Sequence, residues 1–261
     1  MCRWLAYAGA PVYMESLVTQ LSHSLIDQSQ NAIEAKARIN GDGFGLGWYD
    51  SRPEPGLFRE VLPAWNDSNL RSLAAQIRSP LFFAHVRAST GTESIRPNCH
   101  PFAYGRWLFM HNGQLGGYDR LRRRIEALVP DAYYAYRVGT TDSELLFLLL
   151  LAQGLERDPI GAIGRMLAQV EAEMRAAAVT QPLRFTAAVS DGAHLYAIRY
   201  ASDDRPPSLY LQQQDAGFVV VSEPLESGDA DWQIVPPDQV LIVERDRLVG
   251  FKSLEHRETA A

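Results

Sequence analysis

Stretches with a helical period and stretches with a strand period alternate along this 261-residue chain, with no low-complexity linker and no internal repeat. A chain that changes period this often must pack helices against sheets, so the pattern predicts an α+β fold with residues 1–261 forming one domain. Its 46% of hydrophobic residues are enough to bury a full core. Helices are expected at 15–27, at 68–77 behind a cap at Asp67, and at 119–128, 142–153 and 160–178. Short apolar runs at 81–86 and 107–110 end in polar residues, as buried strands that deliver a site at their ends would. Residues 185–200 read as a hairpin turning at Asp191-Gly192, with further strand material at 209–222 and 240–251. The Pro-rich stretches 52–55 and 205–207 read as loops.

Charge and cysteine usage then narrow the function classes. The net charge is −6, and the one dense basic cluster, Arg120 with Arg122, Arg123 and Arg124, reads as a solvated helix face. Nucleic acid is therefore not an expected partner. Only Cys2 and Cys99 occur, without a CxxC spacing, so neither a zinc site nor a disulfide framework is predicted. The longest apolar stretch, 145–152, falls far short of the ~20 residues that span a bilayer, and the N-terminus lacks a basic region followed by an apolar run. The reading is a soluble cytoplasmic protein with no membrane, metal or cofactor requirement.

Chemistry enters at the second residue. Removal of Met1 leaves Cys2 with both a thiol and a free α-amine, a nucleophile that carries its own base. The amine, with an ordinary pKa near ~8, is partly unprotonated at neutral pH and can take the thiol proton directly or through water. A small second residue also occurs by chance, so this dipeptide gains weight only from the segments downstream of it.

In Asn40-Gly41-Asp42-Gly43-Phe44-Gly45-Leu46-Gly47-Trp48, four glycines alternate up to a strand-like Trp48-Tyr49. Dinucleotide spacing fails, because a GxGxxG frame from Gly41 meets Leu46 and one from Gly43 meets Trp48 in its last position. Alternating glycine marks either a tight turn or the close approach of another backbone or a ligand. In Ala84-His85-Val86-Arg87-Ala88-Ser89-Thr90-Gly91 a strand leaves the core and presents Arg87 and Thr90 together. The fork of Arg87 suits a small-molecule carboxylate, although an internal Asp or Glu would also satisfy it.

Asn98-Cys99-His100-Pro101-Phe102 precedes Phe109-Met110-His111-Asn112-Gly113-Gln114-Leu115. Asn112 offers side-chain N–H donors and Gly113 a backbone N–H, a pair suited to an oxyanion, while Asn-Gly after an apolar run also fits a hairpin turn. Thr141 and Glu144 have capping-box spacing before a strongly apolar helix, which puts Asp142 in the first turn, where its charge is favourable and can receive a ligand ammonium group. His85 and His111 lack compact metal-ligand spacing and are expected to be packed, hydrogen-bonded residues beside the site.

In order and approximate spacing, Met1-Cys2, Asp42-Gly43-Phe44-Gly45, His85 to Thr90, Asn98 to Phe102, His111-Asn112-Gly113 and Thr141-Asp142-Ser143-Glu144 resemble the class II glutamine amidotransferase family of N-terminal-nucleophile hydrolases. Each motif is weak alone, and the ordered set is specific. The later Val221-Ser222-Glu223-Pro224-Leu225 resembles a segment of the stand-alone branch related to the ergothioneine-pathway γ-glutamyl hydrolase. The sequence after Asp142 is also too short for a typical second catalytic domain.

The resemblance implies a four-layer αββα sandwich with the nucleophile at the start of a central strand. It implies attack of Cys2 on the γ-carbonyl of glutamine or a γ-glutamyl conjugate, with the oxyanion held by Asn112 and Gly113. Arg87 would bind the substrate α-carboxylate and Asp142 its α-ammonium, with Thr90 and His100 also in the pocket. Two alternatives stay open: a glutaminase subunit that supplies ammonia to a separate synthase partner, and a catalytically silent glutamine-binding sensor.

Overall fold

The computed structural model describes residues 2–34, 37–89, 91–226 and 231–254. Its strands, in chain order, are β1 (Arg3–Tyr13), β2 (Phe44–Tyr49), β3 (Gly56–Glu60), β4 (Arg78–Val86), β5 (Phe102–Tyr104), β6 (Trp107–Leu115), β7 (Leu183–Ser190), β8 (His194–Ala201), β9 (Tyr210–Gln214), β10 (Gly217–Val221), β11 (Gln233–Ile234), β12 (Gln239–Glu244) and β13 (Arg247–Ser253). The helices are α1 (Glu15–Val18), α2 (Leu25–Asn31), α3 (Ser68–Gln76), α4 (Tyr118–Glu126), α5 (Asp131–Tyr134), α6 (Asp142–Ala152) and α7 (Pro159–Ala176).

Two antiparallel sheets form, one in the order β11-β9-β10-β1-β4-β2-β3 and one in the order β13-β12-β8-β7-β6-β5. Strand alternation sorts the side chains into layers. On β1, Trp4, Ala6 and Ala8 join Leu81 and Phe83 of β4 and Leu108 and Met110 of β6 in a core between the sheets. Leu5 and Tyr7 of β1, with Phe82, Ala84 and Val86 of β4, face outward into a second core under α1, α2 and α3. Trp107, Phe109 and Leu115 of β6 face a third under α4, α6 and α7. Three cores between four layers make the αββα sandwich, and β1 lies at the centre of its sheet, buried from Arg3 to Gly9.

The apolar run 145–151 forms α6, which is buried on all sides between β6 and the helices α4, α5 and α7; Phe147 stacks on Phe109 with centroids 5.1 Å apart. Truncating one of its leucines to alanine should cost about 2–5 kcal/mol. The expected helices at 68–77, 119–128, 142–153 and 160–178 form within two residues of their predicted ends, and Asp67 caps α3 by accepting from the Leu70 N–H at 2.8 Å. The helix expected at 15–27 instead breaks into α1 and α2. Thr19 bonds back to the Glu15 carbonyl and Ser24 caps the second piece, so local hydroxyls replace the continuing ladder.

Candidate active site

Cys2 immediately precedes β1, between two neighbours that differ in kind. On one side Arg3 pairs with Val86 of β4, which brings Arg87 alongside Cys2. On the other, Ser222 prolongs β10: its N–H donates to the Trp4 carbonyl at 3.1 Å and its hydroxyl accepts from the Trp4 N–H at 2.9 Å. Alternation turns Cys2 to the same side as Trp4, between the sheets. Its thiol faces the Ala88 carbonyl at 3.7 Å, and burial pushes its pKa above the ordinary thiol value. The thiol is thus a poor thiolate until a base acts on it.

One cleft gathers Cys2, Arg87, His100, Gly113 and Asp142, together with Ser89, Thr92, His111, Gln114 and Ser143. Five of the sequence-predicted residues therefore converge. Thr90 lies outside the described residues. Asn112, 1% exposed, stands buried next to Gly113.

Arg87 is only 3% exposed yet meets no carboxylate within ion-pairing distance among the described residues. Its guanidinium donates to the Asp42 carbonyl at 3.2 Å, the Ser89 hydroxyl at 3.2 Å and the Thr92 hydroxyl at 2.6 Å. Neutral oxygens hold its orientation, and its charge meets no counter-ion among the described residues, an arrangement that would suit an anionic ligand. The Asp42 carboxylate accepts from the Ser89 N–H at 2.7 Å and so fixes the turn after β4.

The strand β6 continues through His111-Asn112-Gly113 to Leu115 and does not turn there, so the hairpin alternative for Asn-Gly is excluded. Asn112 shares the inter-sheet face with Leu108 and Met110, and neither of its amide atoms has a hydrogen-bond partner among the described residues. The Leu115 N–H donates to the Asp142 carboxylate at 2.9 Å while the Gly116 N–H turns to Pro182 beyond β7. Backbone groups two apart on a strand point the same way, so the Gly113 N–H also faces away from β7. On that edge β5 pairs with β6 only up to Phe109. The Gly113 N–H therefore stands at an open strand edge beside Asp142.

Asp142 is held by several contacts. Besides Leu115, its other oxygen accepts from the Ser143 N–H at 2.8 Å. The capping box forms in part: the Thr141 hydroxyl accepts from the Glu144 N–H at 3.1 Å, but the Glu144 carboxylate reaches back past the cap to the N–H groups of Val138 and Gly139. Asn98 completes the brace, accepting from the Thr140 N–H at 2.8 Å and donating to the Glu93 carbonyl at 2.9 Å.

The histidines divide. His111 bonds to the Ser143 hydroxyl at 2.9 Å and the Arg184 carbonyl at 3.0 Å, as expected of a packed residue. His85 stacks on His100 at 4.3 Å, and none of the four ring nitrogens of this pair has a partner among the described residues, contrary to the expectation for His85. Burial holds both neutral, lowering His85 to about 3 and His100 well below its ordinary value. Among the described residues no group of three His, Cys, Asp or Glu is arranged to hold a metal.

The alternating glycines are explained by close approach. A Cβ on Gly45 would lie 2.2 Å from the His100 carbonyl, and one on Gly47 would lie 3.0 Å from Leu108 across the inter-sheet space. A side chain at either position would push the second sheet, and the His100 loop with it, away from β2.

Sequence reasoning left three supports without a role: Asn98, Ser143 and Glu223. All three lay inside recognised motifs, and for the first two the capping-box spacing was the nearest local signal. Glu223 bonds to partners about 190–220 positions away, which no local spacing reports.

Known proteins resemble this chain in sequence and fold. Residues 15–205 match the family model described as glutamine amidotransferases class-II. The chain is 32% identical to the probable glutamine amidotransferase DUG3 of Saccharomyces cerevisiae, over 95% of this chain and 83% of that one. It is 30% identical to the gamma-glutamyl-hercynylcysteine sulfoxide hydrolase of Mycobacterium tuberculosis H37Rv, over 98% and 97%. The glutamine aminotransferase class-II domain protein from Silicibacter pomeroyi superposes with a TM-score of 0.76 at 42% identity, covering 96% of this chain and 97% of that one. Glutamine phosphoribosylpyrophosphate amidotransferase from B. subtilis, 14% identical, shares the fold with a TM-score of 0.65 over 99% of this chain and 50% of its own. The ordered motifs, the αββα sandwich and these likenesses agree: the chain belongs to the class II glutamine amidotransferase family.

Proposed function

We propose that the protein is an amidase that hydrolyses a γ-glutamyl amide, glutamine or a γ-glutamyl conjugate, through a thioester on Cys2. The observation that carries this reading is the convergence, in one cleft, of a thiol at the chain start, a buried cation with no counter-ion among the described residues and a strand-edge N–H beside a braced carboxylate. The match to the mycobacterial hydrolases along nearly their whole length supports hydrolysis over ammonia transfer.

With Met1 removed, the α-amine of Cys2 accepts the thiol proton as Sγ bonds to the γ-carbonyl carbon. The Asn112 side-chain N–H and the Gly113 N–H receive the oxyanion. Collapse breaks the C–N bond, and the proton held on the α-amine passes to the leaving nitrogen. Water then attacks the thioester, assisted by the same amine, and glutamate leaves as the thiol reforms. Arg87 binds the α-carboxylate and Asp142 the α-ammonium, and His100, neutral through burial, lines the same pocket. While Met1 is retained the Cys2 nitrogen is an amide without basicity, so processing precedes activity.

The test combines intact mass with a panel of γ-glutamyl compounds. Loss of Met1, one adduct of a diazoketone glutamine analogue on Cys2, and release of glutamate from at least one compound are expected. A processed chain that binds glutamine tightly without turnover would replace this reading with the sensor, and turnover that appears only with a co-purifying protein would replace it with the synthase partner.

A further inference from the structure

The cleft does not use Glu223, which lies on the opposite side of β1, under the outer helices. Its carboxylate, 2% exposed, accepts four hydrogen bonds from three pieces of chain. Arg3 Nη1 donates at 3.3 Å, His23 Nε2 at 2.6 Å, and the N–H groups of Ile33 and Glu34 at 2.8 and 2.9 Å. The Gln28 amide ties down the backbone around it, donating to the carbonyls of His23, Glu223 and Pro224. Arg3 is fully buried, its Nε and Nη2 have no partner among the described residues, and Glu223 is the only carboxylate in ion-pairing range of it there.

Three facts bear on the site. Arg3 is bonded to Cys2, so whatever fixes Arg3 fixes the peptide that carries the nucleophile. Ser222, the neighbour of Glu223, grips the next residue, Trp4, through both backbone and hydroxyl. Ile33 and Glu34 stand a few residues before Asp42, whose carbonyl orients Arg87. One carboxylate thus joins the nucleophile's strand end to the segment that orients the candidate carboxylate-binding arginine.

We propose that Glu223 is a positioning residue for Cys2, acting through Arg3 and holding the nucleophile in register with Arg87 and Gly113. The inference rests on the amidase reading for its kinetic consequence, though not for its structural one. A shift of about 1 Å at a reacting atom can cost on the order of a hundredfold in rate, so loss of the anchor reaches kcat rather than substrate affinity.

The test uses processed full-length protein and the variants Glu223→Gln, Arg3→Met and the pair combined. Glu223→Gln is expected to lower kcat about tenfold or more with KM within about twofold, and to raise the rate of Cys2 alkylation by iodoacetamide, read by peptide mass, about threefold or more as the strand end loosens. The double variant should lose no more kcat than the worse single, because both act on one linkage. Ile163→Ala, in the core under α7, serves as a stability control: at a matched fall in melting temperature it should leave kcat and Cys2 alkylation unchanged.

Unchanged kcat and alkylation in Glu223→Gln, additive losses in the double variant, or equal losses in the control would each overturn the proposal. If no γ-glutamyl compound is turned over by the unmutated protein, the amidase reading fails and the alkylation rates alone decide the positioning role.

Discussion

Asn112 and Glu223 are buried to the same degree, 1% and 2% exposed, on opposite sides of the nucleophile's strand, and they are finished in opposite ways. Glu223 accepts four hydrogen bonds, whereas neither amide atom of Asn112 has a partner among the described residues. Leaving a buried amide unsatisfied costs about 1–3 kcal/mol, so a fold selected for stability alone would fill or replace it. The contrast separates a frame, whose polar groups are spent on the protein, from a candidate site whose bonding capacity is left unspent among the described residues. Arg87 occupies an intermediate position, with its orientation fixed by neutral oxygens and its charge unanswered.

The strongest challenge to this division is at Cys2. Retaining Met1, or replacing Cys2 by alanine, should lower γ-glutamyl hydrolysis by at least about 10³-fold while the melting temperature stays within a few degrees. Residual turnover near that of the processed enzyme would move the nucleophile elsewhere. Asn112→Ala comes next, with kcat expected to fall about a hundredfold and stability held or raised, since no protein hydrogen bond is lost. A clear drop in melting temperature there would return Asn112 to the frame.

Arg87→Gln should raise KM for γ-glutamyl substrates about 10- to 100-fold, the worth of a charge-assisted bond, with a smaller change in kcat. Equal loss in both would show that Arg87 braces the Ser89 turn more than it binds substrate.

The smallest effect is a pH dependence of stability. Burial lowers the folded pKa of His85 to about 3, against about 6.5 when unfolded. Its stabilising contribution is complete above about pH 6.5 and lost as pH falls toward 3, because only the unfolded chain takes up the proton. By pH 5 this should amount to about 2 kcal/mol. Denaturant titrations of the unmutated protein and of His85→Phe at pH 7 and pH 5 should show a gap that narrows in the variant; equal gaps would mean that His85 titrates normally.

Much of the frame could be read locally. Asp67 and Thr141 announced their caps, Asp191-Gly192 its turn, and the leucine run its buried helix, because each is decided within a few residues. The site was legible as a set of residue types, and Cys2, Arg87, His100, Gly113 and Asp142 do converge on one cleft. What could not be read was set by pairing at long range. Asn112-Gly113 looks like a turn until β7 is placed beside it, and nothing near Glu223 in sequence announces its bond to His23. Neither partner is near in sequence.

The early end of β5 carries a consequence of its own. Its pairing stops at Phe109, short of Gly113, and so leaves the edge of β6 free beside that residue. The opening is therefore maintained by an omission: a strand that zipped onward along β6 would fill the cleft with the protein's own backbone. An edge that a ligand oxygen can reach is also an edge that a stray peptide can reach.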